Sequence, residues 1–135
     1  MSKKQQIEKE IKKILAEMAT SFAEKNSEKY MNLFAKKADI VIYGSQEGEK
    51  WTSLKDYLES VNRNWAYAEK ITVTYDWLTI NNSGDVAWIA TDVIFKSKIG
   101  KQTMSVSGRM TAVFVREKDN WKIAQSHFSM ENKSS

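Results

Sequence analysis

Two carboxylates, an arginine and the single histidine interrupt stretches that otherwise read as apolar strands: Asp76, Asp92, Arg109 and His127. The ordinary pKa of histidine lies nearest neutrality, so His127 is a candidate general base or ligand hydrogen-bond partner. A lone histidine in a terminal strand more often serves structure. Asp92 stands between Ala90 and Ile94. A carboxylate drawn into such surroundings needs a partner or takes on a raised pKa, and a raised pKa in a cleft is what proton transfer requires. Asp76 keeps company with Thr72 and Thr74 and is better read as edge-exposed. Arg109 has the fork geometry to fix a carboxylate or to orient Asp92, and a cross-strand ion pair is an equally good reading. Tyr43, Trp51, Trp65 and Trp88 offer walls for an apolar or aromatic ligand, although core packing accounts for most tryptophans. No second histidine, no cysteine and no tight acidic cluster accompany these residues. Neither a metal site nor a thiolate nucleophile is therefore expected, and no cofactor is called for.

Each of these side chains needs an element to carry it. The longest strand-like stretch runs from Thr103 to Met130, folded back at Glu117-Lys118-Asp119-Asn120. Met104, Val106, Gly108, Met110, Ala112 and Phe114 fall on one face of it, and Thr103, Ser105, Ser107, Arg109 and Thr111 on the other, the period of a half-buried strand. Beyond the turn, Trp121, Ile123, Gln125 and His127 share a side, a parity that one bulge would reverse. Asp85 to Lys98 alternates in the same way, with Val86, Trp88, Ala90, Asp92 and Ile94 on one face. From Lys70, the residues Ile71, Val73, Tyr75 and Trp77 alternate with Thr72, Thr74 and Asp76, up to a turn at Asn81 to Asp85.

Upstream the period is close to 3.6. Ile7, Ile11, Ile14, Leu15, Met18 and Phe22 form one stripe of a helix expected from about Lys4 to Lys25. Ser27 is an N-cap candidate for a short second helix through Tyr30 and Phe34. Ala38 to Tyr43 reads as a strand ending at Gly44, and Ser45 to Lys50 as a polar loop. Ser53 with Asp56 opens a third helix that carries Leu54, Tyr57, Leu58, Val61 and Trp65. A polar Ser134-Ser135 end closes the chain.

At 135 residues, 41% apolar and 28% charged, one globular domain is expected. The net charge of +4 arises from 21 basic and 17 acidic residues that are interleaved, so a nucleic-acid partner is not expected. No apolar run is long enough to span a bilayer, and the acidic residues of the first helix argue against a membrane surface. A cytoplasmic setting is the expectation. One apolar sheet face needs cover, and the amphipathic helices are the available cover. Together they predict an α+β architecture, a curved antiparallel sheet wrapped on N-terminal helices.

The order helix, helix, strand, helix and then four strands, closing on GRMTAVFVREKDNWKIAQSHFS, resembles the nuclear transport factor 2-like (NTF2-like) superfamily of cystatin-like cones. Within it the chain resembles the SnoaL-like proteins and the association domain of calcium/calmodulin-dependent kinase II. Thr111, Val113, the charged turn, Trp121, Ile123, His127 and Ser129 carry most of the likeness. The resemblance implies a conical pocket between sheet and helices, and commonly a dimer through the outer sheet face. The superfamily hosts isomerases, dehydratases, cyclases, transport adaptors and oligomerisation hubs, so fold alone does not fix activity. Its steroid isomerase-like members use a helix tyrosine and two pocket aspartates; the first helix here has no tyrosine, and Asp92 stands near one of those aspartates. The hub's pocket arginines correspond to Ala112 and Phe128. The expected site therefore has Asp92 and His127 as catalytic candidates, and Tyr43, Trp51, Trp65, Trp88, Arg109 and Ser129 as ligand contacts within the cone. The expected partners are a small, partly apolar molecule and a second copy of the chain. An isomerase-, dehydratase- or cyclase-type reaction and a non-catalytic association module are the alternatives.

Overall fold

The computed structural model describes residues 1–131, and the expected polar end at Ser134 and Ser135 lies outside them. Helix α1 spans Lys3–Ala23. Its start is fixed by a reciprocal cap in which Ser2 Oγ accepts from the Gln5 backbone and Gln5 Oε1 accepts from the Ser2 backbone. Ile7, Ile11 and Leu15 are buried on the stripe that faces the sheet. The left-handed Lys25 (φ 57°) breaks the chain direction. Helix α2 is short, Ser27–Met31, and Asn26 rather than Ser27 caps it, its side chain accepting from Lys29 N. Leu33 and Phe34 therefore lie beyond the helix, where Phe34 bridges to Ile123. Strands β1 (Val41–Tyr43) and β2 (Lys50–Trp51) form a small hairpin, and α3 (Leu54–Tyr67) starts at the expected Ser53 cap. Four long strands follow: β3 (Lys70–Ser83), β4 (Val86–Ile99), β5 (Gln102–Glu117) and β6 (Asn120–Met130).

The six strands form one sheet in the order β2-β1-β6-β5-β4-β3. The four long strands are antiparallel as expected, but β1 runs parallel to β6, with Ile42 opposite Ser126 and Tyr43 opposite His127, so the sheet is mixed. The expected strand over Ala38 to Tyr43 begins three residues late for a physical reason. The Glu117 carboxylate, at the end of β5, accepts the backbone N–H groups of Lys36, Lys37 and Ala38 at 3.0, 2.9 and 3.2 Å, leaving that segment a loop tied to a side chain.

Two irregularities set which side chains face the helices. Between Tyr75 and Trp77 the β3–β4 register shifts, so Trp77 pairs with Asp92 and faces away from the core, while Leu78 faces inward. The simple alternation that put Trp77 beside Ile71, Val73 and Tyr75 fails there. Between Val113 and Phe114 the β5–β6 register shifts at Ala124, so Trp121, Ile123, Ser126 and Phe128 share the inner face, and Gln125 and His127 the outer one. Gly108 lets Phe128 lie close over β5, since a Cβ at that glycine would stand 2.5 Å from the ring. Phe128 meets Phe95 edge-on at 5.1 Å.

The core is an aromatic and aliphatic layer between helices and sheet. Tyr30, Phe34, Phe114, Ile11, Leu15, Ile123 and Val93 are its most deeply buried large members. At one margin Trp121 Nε1 donates to Glu10 at 2.9 Å while Arg116 stacks over its ring at 4.2 Å, pinning α1 to the end of the β5–β6 hairpin.

The three backbone donors hold the Glu117 carboxyl below the usual glutamate range, the Lys36 and Lys37 N–H groups contributing most. Because folding lowers this pKa, the carboxylate adds stability above the ordinary glutamate range, and the contribution disappears as pH falls through the lowered value. Urea melts of the native protein and Glu117→Gln should therefore differ at neutral pH, with the gap narrowing on acidification. A gap independent of pH would contradict this account.

Candidate functional site

Two separate groups of side chains carry the chemistry, one on each face of the sheet. On the inner face, α2 supplies Tyr30 and α3 supplies Tyr57 and Trp65, because helical spacing turns these positions toward the sheet. The Tyr30 and Tyr57 hydroxyls lie 2.8 Å apart. Phe22 meets Tyr30 and Trp65 edge-on, each at 5.4 Å, and Trp51 lies over Tyr57 at 5.2 Å. Trp65 is 5% exposed, and its indole Nε1 has no hydrogen-bond partner among the described residues. Burial pushes the Tyr57 hydroxyl up to about 12 and raises Tyr30 well above the ordinary value, with Tyr57 beside it adding to the effect. Both phenols therefore stay protonated across the physiological range. One donates to the other, so one hydroxyl proton remains uncommitted. The interior thus presents donors and aromatic surface. The buried polar residues are Ser21, Ser60, Thr91 and Ser126, and no histidine or carboxylate is buried among the described residues.

The outer face gathers the rest of the expected site. Asp92 and Arg109 are directly opposite each other on β4 and β5, and Ser129 on β6 is opposite Arg109. In the adjacent row, Ala90, Thr111, His127 and Tyr43 follow one another across four strands, and the Tyr43 and His127 rings lie 5.4 Å apart. Trp88 is 43% exposed and Trp77 54%. The small side chains Ala90 and Thr111 make a floor, Trp88 and His127 make walls, and Thr79, Asn81 and Gln125 complete an open groove of about 500 Å³.

The expectation that Asp92, His127, Arg109, Ser129, Tyr43 and Trp88 enter the cone is corrected by this arrangement. Asp92 alternates with the buried Thr91 and Val93, and His127 follows the buried Ser126, so strand pleating turns both away from the helices. Of the eight expected site residues only Trp65 and Trp51 lie on the inner side. Sequence reasoning passed over Tyr30 and Tyr57, which it read as core positions of two helices. The available signal was a phenol at an apolar helical position on each of two neighbouring helices, since a buried hydroxyl requires a partner.

A SnoaL-like domain model matches residues 11–133 of the chain. No curated protein sequence matches it. Among solved structures, an NTF2-like superfamily protein from Salmonella enterica serovar Typhimurium is 17% identical, with 98% of this chain and 96% of that one covered and a TM-score of 0.85. A protein provisionally named scytalone dehydratase from Novosphingobium aromaticivorans is 13% identical, covering 98% and 89% with a TM-score of 0.86. A type 2 hexachlorocyclohexane dehydrochlorinase is also 13% identical, covering 96% and 88% with a TM-score of 0.82. At these identities the likeness is one of fold. The family match covers nearly the whole chain: this chain belongs to the SnoaL-like family, and it shares its α+β cone fold with NTF2-like proteins of known structure.

Proposed function

We propose that this SnoaL-like domain is a binding module that holds a small, partly apolar molecule in the aromatic interior between sheet and helices and works as a homodimer joined through the outer sheet face. The observation that carries the first half is Trp65 Nε1, a buried donor without an acceptor among the described residues. Leaving such a group unpaired costs on the order of 1–3 kcal/mol, a cost removed when a bound molecule supplies the acceptor. The Tyr30–Tyr57 pair offers a second donor to the same kind of molecule. Trp51 and Tyr57, partly buried, flank this interior.

The interior suits binding better than proton abstraction. A dehydratase or dehydrochlorinase must take a proton from its substrate, and the groups found inside are phenols and an indole that keep theirs. An isomerase-, dehydratase- or cyclase-type reaction using Asp92 or His127 would have to run on the outer face, where both are exposed to water. The second half of the proposal rests on that face: Trp77, Trp88, Tyr43 and Val86 are all exposed there, an apolar concentration that marks an interaction surface. Pairing two copies would also close the groove between Trp88 and His127.

Three outcomes test this reading. In NMR titration with cyclohexanone, a neutral ketone, the indole N–H resonance lost in Trp65→Phe should shift selectively; movement of the Trp88 signal alone would move the site outside. Tyr57→Phe leaves the Tyr30 hydroxyl without its partner and should cost about 1–3 kcal/mol in urea unfolding, whereas an unchanged midpoint would show that the pair contributes nothing. Light scattering at micromolar concentration should give twice the mass of one chain, reduced to a single mass by Trp88→Glu; a monomeric native protein removes the dimer from the proposal.

A further inference from the structure

The geometry points to a reciprocal ion pair at the centre of the outer face, in which Asp92 of one copy meets the partner's Arg109 and Arg109 meets the partner's Asp92, fixing the register of the dimer. This rests on the outer-face pairing proposed above and adds the contact that specifies it. The two residues are directly opposite on β4 and β5, the inner pair of the four long strands. Asp92 lies at the middle of β4 (Val86–Ile99) and Arg109 near the middle of β5 (Gln102–Glu117). Along β4 and β5 themselves their neighbours are uncharged, while on β3 the exposed Asp76 sits at the bulge next to Trp77, the residue that pairs with Asp92. On the outer side of β4, Val86, Trp88, Ala90 and Ile94 separate Asp92 from the next charge at Lys96, and β5 presents Ser105, Ser107, Thr111 and Val113 around Arg109.

Opposite charges directly across two strands ordinarily join. Among the described residues, however, the ion pairs within 4.0 Å are made by Arg116, with Glu10 and Asp85, and none joins Asp92 to Arg109. Both side chains are exposed and carry no hydrogen bond from the described residues. Two-fold symmetry explains why such a pair suits an interface with itself. A single charge near the axis would face its own copy and repel it, whereas an adjacent acid and base exchange partners on rotation, so each finds its complement. Covering the pair between two copies would exclude water from it, which makes a mismatched register costly because it would leave four charges covered and unpaired.

Sedimentation velocity on the native chain, Asp92→Arg, Arg109→Asp and the double exchange tests the proposal, with circular dichroism confirming that each variant is folded. Each single reversal places like charges together at two symmetric points and should raise the dimer dissociation constant by about 30-fold or more. The double exchange should restore native affinity. A native dimer that neither single reversal weakens, or one that both weaken without recovery in the double exchange, overturns the reciprocal pair and leaves the outer-face dimer standing. A native monomer overturns both.

Discussion

The pairing of β4 with β5, unbroken from Val86 opposite Val115 to Ile99 opposite Gln102, constrains everything else in this domain. A pleated strand has two faces and the helices cover one of them. Once Ala87, Ile89, Thr91 and Val93 are committed to the core, Trp88, Ala90 and Asp92 are committed to the opposite side. The partners on β5 divide in the same way, Met110, Ala112 and Phe114 inward and Arg109, Thr111 and Val113 outward. The separation of an aromatic, donor-rich interior from a titratable exterior follows from this one ladder.

Periodicity made most of the fold legible. The stripe from Ile7 to Phe22, the cap at Ser53 and the alternation along β4 and β5 each specify an element without tertiary information. What alternation does not show is a bulge, because an inserted residue changes parity without changing composition. Trp77 was misplaced for that reason. The same applies to β6, where the shift at Ala124 returns Ser126 and Phe128 to the inner face. The parallel pairing of β1 with β6 was hidden differently: it joins Val41 to Gln125, and nothing local in either segment encodes the partner.

The candidate site was legible as a set of residues and misread as a place. Asp92, Arg109, His127 and Tyr43 do gather on one surface, but the idea that polar residues in apolar strands mark an interior cleft ignored the second face. Tyr30 and Tyr57 went unnoticed because their spacing satisfied the core pattern completely. Only the 2.8 Å approach of their hydroxyls reveals that burial has been reconciled with polarity. This division bears on chemistry within the family. Among the described residues the interior phenols, whose pKa values burial raises further, can donate to an acceptor.

The tether from Glu117 to Lys36, Lys37 and Ala38 joins residues about eighty positions apart, and the β1–β6 pairing beside it spans a similar distance. Contacts of that range are entropically expensive to close before the intervening chain is ordered. The hairpins β3–β4, β4–β5 and β5–β6 join neighbours and need no such closure. The hairpin of β1 with β2 is local, but a nascent chain emerging from the ribosome cannot seat β1 in the main sheet until β6 has been synthesised.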